Sequence, residues 1–151
     1  MAKIELEHNP LVGPLGKWLD AAFIDRADSA SAVAALKPVE EAARKGLSIL
    51  VAPEGTRMDA RAADPLTVGP FKKGAFRIAM ATGLPVIPIV IRNSDSVAAR
   101  NSYRLNPGTV DIVVLPPIDA RDWTHNDLPE RVEEVRALYL KTLASWPGAS
   151  P

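Results

Sequence analysis

The run Leu47-Ser48-Ile49-Leu50-Val51-Ala52 is apolar almost throughout, is bounded by Gly46 and Pro53, and leads directly into Pro53-Glu54-Gly55-Thr56-Arg57. An apolar stretch this short, closed at both ends by chain breakers, predicts a strand buried in a sheet. The five residues that follow are of another kind: a proline, a glycine and two opposite charges. A buried strand that ends in a charged, glycine-containing loop is the pattern of an α/β sheet, where ligands gather at the carboxyl ends of strands.

Upstream of this run, Ser29 or Ser31 caps a helix that extends to Lys45 and stops at Gly46. Pro38 inside it implies a kink or a late start. Before that, Leu11, Val12, Leu15, Trp18, Leu19 and Ala22 form a helical stripe from Pro10, and Ala22-Phe23-Ile24-Asp25 reads as a strand. Downstream, a loop rich in Asp, Gly and Pro reaches Pro70, and a helix covers Lys73 to Thr82 with Gly83 as its stop. Val86 to Arg92 is a strand in which Pro88 marks an edge or a bulge. After a polar stretch to Gly108 come a strand from Thr109 to Leu115, Pro116-Pro117, and a helix from Leu128 to Ser145. That helix carries Val132, Val135, Leu138, Tyr139 and Leu143 on one side. Strands alternating with helices predict an α/β fold, a partly parallel mixed sheet flanked by helices. Without an internal repeat or long linker, residues 1–151 read as a single domain.

Composition narrows the function. The chain has 151 residues, 18 basic and 18 acidic side chains, and no cysteine. Zero net charge gives no global field for nucleic acid or an anionic membrane. The lack of cysteine removes disulfides, thiolate metal sites and a cysteine nucleophile, which is compatible with the cytoplasm. The two histidines, His8 and His125, have no partner at metal-binding spacing, so no metal is expected. No run of about 18 apolar residues is present, and the charged start Met1 to Glu7 is not a secretory signal.

Four segments carry candidate chemistry. In Pro53-Glu54-Gly55-Thr56-Arg57, Gly55 permits close backbone approach to a ligand, Arg57 offers a planar fork for phosphate oxygens, and Glu54 can accept hydroxyl hydrogen bonds or hold an arginine. The same residues also fit an ordinary turn with a surface ion pair. Phe23-Ile24-Asp25-Arg26 again ends a strand on an arginine, and by itself fits an ordinary exposed pair better than a site. Pro70-Phe71-Lys72-Lys73-Gly74 puts Lys72 and Lys73 at a helix N-terminus, where free amides and the helix dipole favour an anion, although such a pair by itself is more commonly just solvated. Leu84 to Ile91 shows only the pattern of a core strand.

Taken in order, these segments resemble the PlsC-type 1-acyl-glycerol-3-phosphate (lysophosphatidate) acyltransferases. Phe23 to Arg26 is similar to the family's second block, Pro53 to Arg57 to the third, and Val86 to Val90 to the fourth. Pro70 to Gly74 matches the Pro-Phe-Lys-Lys-Gly stretch between the last two, and the resemblance covers about Ala2 to Arg92. It implies a glycerolphosphate-acyltransferase-like domain that moves an acyl group from acyl-CoA or acyl carrier protein to the free hydroxyl of 1-acyl-glycerol-3-phosphate, with no other cofactor. The implied acceptor-binding residues are Arg26, Glu54, Gly55, Thr56, Arg57, Lys72 and Lys73.

The family's first block, His-x-x-x-x-Asp, has no counterpart in its place. His8 has Gly13 at the fifth position on. His125 has Glu130 there but follows the fourth block instead of preceding the second. The catalytic pair is therefore unassigned, and positioned general-base catalysis is worth about 10²–10⁴ in rate. The expectation is an incomplete domain, the C-terminal portion of an acyltransferase, arising as a fragment, a mis-started frame or a natural truncation. It would expose an unpaired strand edge and apolar surface, and an upstream segment of the same protein would be its partner. A catalytically dead module that binds lysophospholipid or phosphate, or serves as a scaffold, is the alternative; a phosphate-ester hydrolase lacks any nucleophile–base pair. The Pro10 to Ala22 stripe, with Lys17 and Trp18, also fits peripheral contact with the inner face of a membrane.

Overall fold

A computed structural model describes residues 2–3, 23–24, 36–55, 68–98 and 104–147. Among these, the elements in chain order are β1 (Ala2–Lys3), β2 (Phe23–Ile24), α1 (Leu36–Arg44), α2 (Gly74–Thr82), β3 (Ile89–Arg92), α3 (Ser94–Val97), β4 (Asp111–Val114) and α4 (Leu128–Ala144). The fold is α/β. Its described strands form two separate pairs, β1 with β2 in parallel and β3 with β4 antiparallel, where the sequence predicted one mixed sheet.

Pro38 lies near the start of α1 as described, a place where a missing N–H is tolerated; the residues before Leu36, on which the choice between a kink and a late start rests, lie outside the described residues. Gly46 ends the helix with φ +88°: its N–H donates to Ala43 and the Leu47 N–H reaches back to Ala42. This pair of bonds satisfies the last carbonyls and needs the left-handed conformation that glycine adopts without strain. Helix α2 ends likewise at Gly83, φ +69°, whose N–H donates to the Ala79 carbonyl. Val39 of α1 packs with Ile78 of α2 and with Ile49, and the Arg44 guanidinium donates to the Ala81 carbonyl at 3.0 Å.

The larger core cluster lies on the other side of α2. Phe71, Phe76, Leu128, Val132 and Val135 are buried together, with Val68, Trp123 and Tyr139 against them. Phe71 meets Tyr139 edge-on at 5.0 Å and stacks with Phe76 at 6.4 Å, arrangements that favour aromatic pairs. Helix α4 starts from a box in which Asp127 accepts the Thr124 N–H at 2.7 Å, with Pro129 in the first turn. The Thr124 hydrogen bonds, ahead of the Arg131 charge, hold the Asp127 carboxyl below its usual range.

Pro88 does sit at a bulge. Val86 bridges Ile118, and the regular ladder resumes at Ile89 opposite Val114. Ile87 and Pro88 thus face Leu115, Pro116 and Pro117, one residue more, and the register shifts. One face of the β3–β4 ribbon packs toward α4 through buried Val90. On the other face Ile91, Ile112 and Val114 are exposed, in line with the expected apolar surface.

Leu47 to Ala52 departs from the sequence-based expectation. It is not a strand, and Leu47 and Leu50 are 55% and 80% exposed. A strand exists only when its amides and carbonyls meet a neighbouring strand, and no strand among the described residues pairs with this run. The helix predicted from Pro10, the caps Ser29 and Ser31, and the loop at 56–67 lie outside the described residues.

The Tyr139 hydroxyl accepts the Ile89 N–H at 3.2 Å and so ties α4 to β3. Burial pushes the phenol up from its usual value and the Glu54 charge adds to this, opposed by the Ile89 hydrogen bond.

Replacing Leu128, 2% exposed, by alanine should cost about 2–5 kcal/mol in urea denaturation. Leu105→Ala, at a side chain 73% exposed, should stay within about 0.5 kcal/mol. Because the folded state holds the Tyr139 proton more firmly than the unfolded chain, its stabilisation is complete below about pH 10 and declines as pH rises through the raised folded value. Tyr139→Phe should flatten that alkaline loss in a stability–pH profile.

Candidate functional site

After Val51 the chain reverses in a four-residue turn closed by the Gly55 N–H on the Ala52 carbonyl at 3.1 Å. Gly55 has φ +73°, a conformation that a side chain would strain. Two hydrogen bonds then fasten this turn to the segment entering α2. The Pro53 carbonyl accepts the Lys72 N–H at 2.7 Å, and Glu54 Oε2 accepts the Gly69 N–H at 2.8 Å. Residues well apart in sequence are thereby held side by side.

Gly69 is buried, and the peptide that joins it to Val68 is held at its other end as well. The Val68 carbonyl accepts Nη2 of Arg136 at 3.0 Å, while Nε of the same guanidinium donates to the Gly69 carbonyl at 3.1 Å. The third nitrogen, Nη1, donates to Glu133 at 2.6 Å. One peptide unit thus has its N–H on a carboxylate and its C=O on a guanidinium. Both bonds are charge-assisted and polarise the peptide in the same sense.

Phe71 anchors the next residue pair by inserting into the aromatic core, which leaves Lys72 and Lys73 exposed. Lys73 is the N-cap of α2, with no side-chain cap and no acidic residue in the first turn. The helix start therefore offers uncommitted amides beside two ammonium groups, an arrangement suited to an anion.

Of the residues singled out from sequence, Glu54, Gly55, Lys72 and Lys73 are brought to one place. Arg26, Thr56 and Arg57 lie outside the described residues. Glu54 was read as a partner for a hydroxyl or an arginine; among the described residues its Oε2 accepts a backbone amide. His8 also lies outside, and His125 and Glu130 are both exposed at the start of α4. Among the described residues, no three His, Cys, Asp or Glu side chains gather as a metal site would require. An open groove of about 430 Å³ between Pro116, Pro117, Leu138 and Lys141 contains none of the predicted site residues.

Arg136 and Gly69 were not singled out from sequence. The signal was present in α4: Arg136 is four residues from Val132 and three from Tyr139, so a long cation falls on the apolar stripe of the helix. An arginine there needs a partner.

The acyltransferase family model matches residues 1–92. The chain is 33% identical over 144 residues to a 1-acyl-sn-glycerol-3-phosphate acyltransferase of Cocos nucifera, covering 95% of this chain and 45% of that protein. Against the enzymes of that name from Saccharomyces cerevisiae and Salmonella typhimurium the identities are 31% and 35%, covering 99% and 89% of this chain and 48% and 53% of theirs. The chain spans about half the length of these curated relatives. Among solved structures, the 1-acyl-sn-glycerophosphate acyltransferase PlsC from Thermotoga maritima superposes with a TM-score of 0.71 at 30% identity, over 95% of this chain and 56% of that one. No helix among the described residues is long and apolar enough to cross a membrane. With its ordered blocks inside a family match that takes in more than half of its residues, the chain belongs to the acyltransferase family.

Proposed function

We propose that the domain to which this chain belongs transfers an acyl group from acyl-CoA or acyl carrier protein to the free hydroxyl of 1-acyl-glycerol-3-phosphate, a step of phospholipid biosynthesis. The observation that carries this reading is the fastening of the Pro53–Gly55 turn to the segment at 69–73, which puts a motif turn beside an open, lysine-flanked helix start. The relatives' names give the substrate class.

In this reading the acceptor phosphate is held by Arg26 and Arg57 with Lys72 or Lys73, and the Gly55 backbone lies against the glycerol. Glu54 keeps the turn in place. Thr56, next in sequence in the same motif, contributes to acceptor binding. The base is the family's block-one histidine, which no histidine of residues 1–151 matches in order and spacing. That histidine takes the hydroxyl proton as the oxygen attacks the thioester carbonyl. The tetrahedral intermediate then expels the thiolate, which leaves as the thiol after protonation. Residues 1–151 are the C-terminal portion of one acyltransferase domain, and in the intact domain the two strand pairs join through further strands into a single partly parallel mixed sheet. Because the acceptor is a bilayer lipid, the domain works peripherally at the cytoplasmic face of a membrane.

Acyl transfer from labelled acyl-CoA to lysophosphatidate, with this chain beside one extended upstream through its native gene, tests the reading. Activity should appear in the extended protein. There Arg57→Ala should raise the acceptor KM about 10- to 100-fold, the loss of one hydrogen bond to a charged group, with the donor KM unchanged. Wild-type turnover that survives the Glu54→Ala, Arg57→Ala double change would place the site elsewhere.

A further inference from the structure

Arg136 sits mid-way along α4, beyond the residues that the family match covers. Its behaviour differs from that of Arg131 in the same helix, whose ion pairs are with Asp127 and Glu134 along the helix itself. Arg136 reaches across the fold, and its side chain is only 25% exposed. Two of its nitrogens take adjacent carbonyls and the third is oriented by Glu133. Only a planar fork fits that set of partners, because a lysine ammonium has no fixed pair of divergent donors.

The carbonyls it takes are those of Val68 and Gly69, in the peptides on either side of the Gly69 Cα. The first of these peptides gives its N–H to Glu54. A displacement of Val68 and Gly69 therefore moves the hydrogen-bond partner of the motif turn and, through Phe71, the backbone that presents Lys72. A misplacement of about 1 Å at a site costs up to about 100-fold in rate even when the reacting groups are intact.

We propose that Arg136 is a positioning residue for the acceptor-binding turn: by clamping the Val68–Gly69 peptide opposite Glu54, it sets where Glu54, Gly55 and Lys72 stand relative to one another. This rests on the reading of that turn as the lysophosphatidate site. The C-terminal helix is then a working part of the binding machinery.

The test is calorimetric titration with a short-chain lysophosphatidate kept below its micelle concentration. Wild type, Arg136→Ala, Arg136→Lys and Arg57→Ala are compared at a temperature where circular dichroism shows each folded. Arg136→Ala should weaken Kd about 10-fold, and Arg136→Lys, which keeps the charge without the fork, should fall between it and wild type. A role in stability alone would lower Tm and leave Kd of the folded variants unchanged. If Arg136→Ala does not fold, Arg136→Lys carries the test, and wild-type affinity in that variant overturns the proposal. Binding that is weakened by Arg57→Ala but not by the folded Arg136 variants overturns the positioning role and leaves the site standing. No binding by the wild-type protein overturns both.

Discussion

The peptide between Val68 and Gly69 is held between a carboxylate on its N–H and a guanidinium on its C=O, and those two side chains come from parts of the sequence far apart. Glu54 belongs to the turn after the first core helix, and Arg136 to the last helix. A buried peptide that lost either partner would keep an unsatisfied polar group, at a cost of about 1–3 kcal/mol. The turn, the entry to α2 and α4 therefore cannot shift independently. Phe71, two residues on, adds the apolar half of the same joint by packing on Tyr139 and Phe76.

The geometry also explains why the lysines at the start of α2 are where they are. Along Pro70-Phe71-Lys72-Lys73-Gly74 the aromatic ring is buried and both lysines are exposed. Because Phe71 is buried and the Lys72 amide is bonded to Pro53, the cationic helix start is held next to the Gly55 turn instead of swinging free. The family's characteristic sequence thus reads as two halves of one structure, a turn and a helix start, set apart in sequence and joined by two hydrogen bonds.

Much of this was legible in the sequence where local chemistry decides the outcome. Gly46 and Gly83 stop α1 and α2, Pro88 marks the bulge, and the stripe through Val132, Val135 and Leu143 gives α4 its buried face. What escaped depends on partners distant in sequence. Leu47 to Ala52 has the composition of a buried strand, yet strand formation is a property of two chains and the described residues supply no second one. Glu54 was read by residue type as a partner for a hydroxyl or an arginine, and the backbone amide that its Oε2 accepts carries no signature in sequence. Arg136 could have been found from its place on an apolar stripe, but which carbonyls it would reach follows only from the packing of α4 on residues 68–71.

The most direct measurement is amide hydrogen exchange by NMR in wild type and in Glu54→Ala. With the Val68–Gly69 peptide clamped as described, the Gly69 amide is protected in wild type. In the variant it exchanges at least about 10-fold faster, while the Gly83 amide, bonded within α2, keeps its rate. A Gly69 amide that exchanges at the same rate in both proteins would contradict the account, because the motif turn would then not be what holds this segment.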